Sequence, residues 1–402
     1  MWGRLQRGLF PAMTDATNES DFSVDDLPFH EDRARAWREL RQRGEVVRGN
    51  QQVVMSSAAA VDFAAKHPDI FSSARAFDRL GSPVPLVPIA IDPPDHTRFR
   101  RLLDPFFSPK RMAEREPELR KQAGELIDAI KVKRSCDIVA ELATPFPSQV
   151  FLTLFGLPLE DRDRLVQWKE SILEFTDPAS AEPTPEVIDQ ALQLYTYLSE
   201  HIAQRRANSG GGDLLSQLID LKEEGGMTDP EILGLCFLFV LAGLDTVTAA
   251  LGFSFARLAS DKELRNRITN DYALIPYFIE EQLRVDPPVP FAPRVITEDV
   301  EVAGCRLAKN TDVLVSYGCA NRDPQLYEEP ERVHLDKRPP HFAFGRGPHR
   351  CLGSHLARLE LRLILEEWHS RIPEYSLAPG ADPRAPWPNG TLGLDAVPLV
   401  IG

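Results

Sequence analysis

Residues 228–260 constrain this chain more than any other stretch. Thr228 is placed as an N-cap, Pro230 stands in the first turn, and Glu231 occupies the capping-box position three residues after the cap. Ile232 to Leu244 is then apolar without a break, and Asp245 follows. That run falls short of the roughly 20 residues a membrane span needs, so it predicts a buried core helix and no transmembrane anchor. Helical character continues to Ser260. At about 1.5 Å per residue such a helix is roughly 50 Å long, enough to cross a whole domain.

The surrounding pattern is mostly helical. A short helix fits Ala58 to Lys66, and Pro83, Pro85 and Pro88 mark an irregular loop after it. Helical periodicity dominates from Thr97 to Arg284, with breaks at Asp177–Pro185 and Ser209–Gly212. Beyond Pro287-Pro288, Val300–Val302 and Asp312–Ser316 alternate like strands, with Gly304 as a turn between them. Helix returns at Leu352–Trp368, and the Pro/Gly-rich tail ends in an apolar strand. The expected fold class is mainly α with a smaller β-rich lobe. Residues 21–402 would form one domain behind a disordered leader of residues 1–20, with either Met1 or Met13 as the functional start.

Net charge excludes some classes of function. The chain carries −14 at pH 7, which disfavours general binding to nucleic acid or an anionic membrane. Its five cysteines (Cys136, Cys236, Cys305, Cys319 and Cys351) are an odd number, widely spaced and without a CxxC pair. No disulfide framework or structural zinc site follows, and a reducing cytoplasmic location fits.

Chemistry concentrates in His341–Glu360, HFAFGRGPHRCLGSHLARLE. Gly345 and Gly347 imply a tight loop in backbone conformations closed to other residues. Cys351 ends that loop, immediately before a helix expected to begin at Leu352. Free N–H donors and the helix's partial positive charge would stabilise a thiolate and lower its pKa. Gly353 leaves room for close approach of a flat ligand. A lone surface cysteine is the plain alternative, and six matching positions around Cys351 argue against it.

Those positions, Phe344-Gly345-x-Gly347-x-His349-x-Cys351-x-Gly353, resemble the haem-binding loop of the cytochrome P-450 superfamily. The likeness is to its soluble bacterial type, and most to mycobacterial members. It implies haem b with Cys351 as axial thiolate, Phe344 beside the sulfur and His349 on a haem propionate, while Arg350 receives no haem role. Ala242-Gly243-Leu244-Asp245-Thr246 resembles the oxygen-activation segment of camphor hydroxylase, with Asp245 and Thr246 as the acid–alcohol pair. A threonine in a helix can return its hydroxyl to the carbonyl four residues back, here Ala242, and loosen the helix. A glycine kink with a solvated Asp245 is the competing reading of that segment. His96, Arg100 and Arg294 match further propionate-binding positions. Glu281 and Arg284 match the family's structural ion pair, with Arg332 as its third member.

The resemblance further implies a monooxygenase that inserts one atom of O2 into a hydrophobic small molecule. No flavin or nicotinamide fingerprint is present, so electrons would come from a ferredoxin and its reductase. A basic face of Arg98, Arg101, Lys110, Arg111, Arg346 and Arg350 would dock the ferredoxin. The substrate pocket would draw on Phe77–Ile89, Leu173–Thr176, Ala242, Val289, Phe291 and Leu392. A peroxide-driven peroxygenase and a haem-based binding or sensor protein without turnover are the rival readings.

Overall fold

The computed structural model describes residues 22–402 apart from 51, 75, 77–81, 83, 176–183, 209 and 222–225. The expected leader and Phe77 therefore lie outside the described residues. Helices α1 (Arg33–Gln42), α2 (Ala58–Lys66), α3 (Asp95–Leu103) and α4 (Pro109–Lys131) come first. They are followed by α5 (Pro145–Phe155), α6 (Arg162–Phe175), α7 (Pro185–Ala207) and α8 (Leu214–Ile219). Next come α9 (Asp229–Ser260), α10 (Lys262–Asn270) and α11 (Ile275–Val285), then the short α12 (Tyr317–Ala320) and α13 (Ser354–Arg371).

The early strands are β1 (Val46–Arg48), β2 (Val53–Met55), β3 (Phe71–Ser72) and β4 (Ser135–Asp137). The later ones are β5 (Phe291–Ile296), β6 (Val300–Val302), β7 (Cys305–Leu307), β8 (Asp312–Ser316), β9 (Tyr375–Leu377) and β10 (Pro398–Ile401). A five-stranded sheet runs β1-β2-β8-β5-β3, with β2 and β8 parallel and its other pairs antiparallel. A second sheet joins β4-β10-β9, and β6 pairs with β7 around Ala303 and Gly304, both at positive φ. The mainly α fold with a smaller β lobe is as expected. Strands β1, β2, β3, β4, β5, β7 and β9 had no counterpart in the sequence reading. All but β5 are only two or three residues long, and β5 carries Pro293, which a strand pattern normally excludes.

Helix α9 forms as its sequence dictates. The Thr228 side chain accepts from the Glu231 amide while Glu231 reaches back to the Thr228 amide, closing the capping box. Leu235, Val240, Leu251 and Leu258 are wholly buried, spread over the helix's length. Full burial of each such side chain stabilises the fold by about 1.5–3 kcal/mol. Among the described residues α9 is the one helix long and apolar enough to cross a membrane, and most of its apolar window lies inside the protein.

Two sets of ion pairs fix α13 against its neighbours. Arg120 of α4 reaches Glu366 and Glu367, and Arg362 reaches Glu116, each at 2.5–2.6 Å. Arg358 grips Glu280 of α11 with two bonds, at 2.6 and 2.7 Å.

Candidate functional site

The loop before α13 is tightly determined. Gly345 and Gly347 both have φ near +65°, the left-handed region that favours glycine. A Cβ at Gly347 would collide with the Ala65 carbonyl, and one at Gly345 would meet the Tyr317 hydroxyl at 3.0 Å. The Cys351 amide donates to the Phe344 carbonyl at 2.8 Å, which closes the loop and sets Phe344 beside the cysteine.

Helix α13 starts at Ser354 with Gly353 as N-cap, two residues later than the sequence suggested. The Gly353 N–H still reaches the Cys351 sulfur. The expected lowering of the thiol pKa is not what the free side chain shows. Desolvation by the protein atoms packed around it pushes the Cys351 thiol up although the residue borders open space, against the opposing pull of the Gly353 N–H, Arg100, Arg350 and Arg358. Desolvation of the anion outweighs one N–H and three cations.

The Cys351 side chain is nonetheless accessible, as is Ala242 in the middle of the otherwise buried α9. A Cβ added at Gly243 or Gly353 would meet nothing within 4 Å. Open space therefore adjoins both α9 and the start of α13. The Thr246 hydroxyl donates to the Ala242 carbonyl at 2.9 Å, the back-bond read from the sequence. Asp245 is not simply solvated, because Lys169 of α6 stands 3.4 Å from its carboxylate with its own side chain only 5% exposed. Lys169 was missed in the sequence, where a lysine in α6 gives no sign that it faces inward.

His96, Arg100, Arg294 and His349 come together. The rings of His96 and His349 are 4.3 Å apart, and Arg294, His96 and Arg100 all act on His349. Burial, then Arg294 and its other cationic neighbours, push His349 down to about 3; burial and then Arg100 push His96 down to about 4. His96 Nε2 is buried without a partner, whereas His349 Nε2 lies 3.2 Å from the Ser73 hydroxyl. Arg294 donates to the Pro293 carbonyl and Arg100 to the Arg350 carbonyl. Arg100 is paired with Asp104 at 2.8 Å, and Asp92, 3.9 Å from His349, is already held by Ser72 and Ser73, which leaves Arg294 without a carboxylate partner among the described residues. The unpartnered His96 nitrogen and an Arg294 that donates to a backbone carbonyl rather than a carboxylate fit an acidic ligand such as a pair of propionates.

Glu281 and Arg284 are both about 1% exposed and meet through two bonds at 2.7 and 2.9 Å. The third member differs from expectation. Arg332 contributes its carbonyl, which accepts from Arg284 at 2.7 Å, while its side chain turns to solvent and pairs with Glu329. The Pro330 and Asn321 carbonyls accept from the same guanidinium, and backbone suffices because Arg284 needs acceptors. The basic face loses Arg98, which is committed to Glu231 and the Gly226 carbonyl of the α9 entry. Arg101, Lys110, Arg111 and Arg350 are exposed.

Of the expected pocket residues, Val289 is half-buried, and Phe291 packs among Trp37 and Trp387. Leu392 is wholly buried, its amide bonded to the Pro288 carbonyl. Thr176 and the side chains of residues 173–175 lie outside the described residues.

Open space beside Ala242 and Gly243 and open space beside Cys351 and Gly353, with an unpartnered buried imidazole and two arginines in the same site, suit a flat dianionic cofactor with one soft ligand. Comparison with known proteins agrees. The family description "Cytochrome P450" (P-450 here) matches residues 44–370, and the chain belongs to that family. It is similar to the "Probable cytochrome P-450 127A1" of Sinorhizobium fredii, 37% identical over 79% of this chain and 74% of that one. It also resembles a methyl-branched lipid omega-hydroxylase of Mycobacterium tuberculosis, 32% identical over 82% of this chain and 79% of the relative. The himastatin post-tailoring hydroxylase HmtN superposes with a TM-score of 0.82 at 31% identity, over 94% of this chain and 98% of that structure. The protein is thus an oxidoreductase of the oxygen-activating, haem-thiolate monooxygenase class.

Proposed function

We propose that this protein hydroxylates or epoxidises a hydrophobic small molecule, with electrons delivered by a ferredoxin and its reductase in the cytoplasm. The observation that carries the reading is the Thr246–Ala242 hydrogen bond in a helix whose Ala242 and Gly243 border open space. Bound haem, held by the Cys351 thiolate, supplies the iron at which dioxygen is activated.

The chain's own residues do the rest. His96, Arg100, Arg294 and His349 would hold the propionates. Gly243 and Gly353 leave open space on their walls, which a flat ring could approach closely. The Thr246 hydroxyl, tethered to the Ala242 carbonyl, keeps a donor at a fixed place on the α9 wall. Asp245 passes protons toward that hydroxyl, and Lys169 holds its carboxylate between deliveries. The half-buried Val289 contributes apolar lining. A lipid-like substrate is supported by the relative that hydroxylates methyl-branched lipids. An acidic ferredoxin suits Arg101, Lys110, Arg111, Arg346 and Arg350 on a −14 chain, since local charge steers docking. That composition gives no support for a nucleic-acid partner.

The test couples two measurements on the holoprotein. A ligand screen for a low- to high-spin change identifies substrates, and product formed per electron is then compared between wild type and Thr246→Ala. We expect uncoupling, with electrons consumed at a near-normal rate and product reduced roughly ten-fold or more. Equal coupling in the variant overturns the proton role. Peroxide-driven turnover outrunning ferredoxin-driven turnover favours a peroxygenase, and ligand binding with no product from any reductase favours a sensor.

A further inference from the structure

A second cavity lies on the outer side of the cysteine loop, away from the α9 wall. Its volume is about 380 Å³, within the size range of small-molecule sites. Lys66, Arg338, Arg346, Arg350 and Arg358 line it with a single carboxylate, Glu280. That carboxylate is fully engaged by Arg358 and by His341 at 3.2 Å. Against the upward push of burial, these bonds hold the Glu280 carboxyl down at about 2, so it stays charged and paired.

The guanidinium groups are also oriented in advance. Arg338 lies over the Tyr277 ring at 4.0 Å, Arg346 over Phe342 at 4.4 Å and Arg358 over Phe344 at 4.3 Å. Stacking of this kind fixes the plane of each fork and leaves N–H groups at its edge. Arg346 Nε is buried without a hydrogen-bond partner, its nearest carboxylate being Asp62 at 3.9 Å. Lys66 is neutralised by the same Asp62 at 2.5 Å, whereas Arg350 and Arg338 are exposed and pair with no carboxylate among the described residues. An unbalanced positive cavity on an acidic protein, walled by pre-oriented arginine forks, matches a compact dianion better than the flat surface of a protein partner.

We propose that this cavity is a binding site for phosphate or a small phosphate monoester. Arg338, Arg346 and Arg350 donate to its oxygens, and the Arg358–Glu280 pair forms the floor. The second half of the inference rests on the ferredoxin reading above. A bound dianion cancels part of the basic face around the cysteine loop and weakens docking of an acidic electron donor.

Isothermal titration of the holoprotein with inorganic phosphate, at ionic strength held constant with sodium chloride, tests the site. The expected result is saturable one-to-one binding, weakened at least ten-fold in Arg338→Ala and in Arg350→Ala. Arg206→Ala, on the remote α7, should bind as wild type. No saturable binding above the chloride control overturns the proposal, as does binding of wild-type strength in both cavity variants. The donor arm is separate: at constant ionic strength, phosphate should raise the KM for ferredoxin in wild type but not in Arg350→Ala. If phosphate binds in the calorimeter and this KM does not move, the site stands and the competition is rejected.

Discussion

The two walls of the site are built to different standards. On the cysteine side, loop and helix are fixed by committed partners. Gly347 is pressed on Ala65, Cys351 is bonded to Phe344, Glu280 is gripped by Arg358, and the buried Glu281–Arg284 pair is ringed by three backbone carbonyls. On the α9 side, among the described residues a single 3.4 Å contact from Lys169 restrains the Asp245 carboxylate, and the Thr246 back-bond diverts a hydroxyl onto the helix's own carbonyl. The difference matches two jobs. A metal ligand works best when immobile, whereas a proton carrier must exchange partners.

The largest effect expected on this contrast comes from the fixed wall. Arg284→Ala leaves Glu281 charged, buried and without its partner, costing about 3–5 kcal/mol. Denaturant unfolding should show this with loss of the Soret band, and an unfolding free energy within 1 kcal/mol of wild type would break the claim of rigidity.

Acid should act on the same wall. The folded pKa of Glu280, about 2, lies below its unfolded value of about 4.3, so its contribution is fully present above pH ~5 and lost as pH falls toward 2. Roughly 3 kcal/mol is involved. Glu280→Gln should flatten stability against pH in that window, and an unchanged acid limb contradicts the assignment.

The mobile wall should respond mainly in turnover. Lys169→Met should cost only about 1 kcal/mol of stability, because Asp245 keeps access to water, while altering the pH profile of product formation and lowering its rate about ten-fold. A rate and profile identical to wild type would remove Lys169 from the proton path. The smallest effect belongs to the outer ladder between α4 and α13. Arg120→Ala should lose less than about 1 kcal/mol, further reduced by salt, and leave the haem spectrum unmoved.

The sequence disclosed the local features well and the long-range ones poorly. The α9 capping box, the Thr246–Ala242 bond and the glycine conformations around Cys351 are set by residues within a few positions of one another, so spacing reveals them. Lys169 meets Asp245 across 76 positions, and nothing near Lys169 in the chain indicates its burial. Arg332 was assigned by side-chain type although its carbonyl is what Arg284 uses. Strand β5 was hidden by Pro293, which sits in register opposite Leu314. The Cys351 pKa was read from the nearby helix end and adjacent cations, without the opposing cost of desolvation.

The central claim is that Cys351 is the axial thiolate of a bound haem. The ferrous carbon monoxide complex of the reconstituted protein tests it most directly, compared with Cys351→His. The account predicts the strongly red-shifted Soret band of thiolate ligation in wild type and a histidine-like spectrum in the variant. A thiolate-type band that survives in Cys351→His would contradict it.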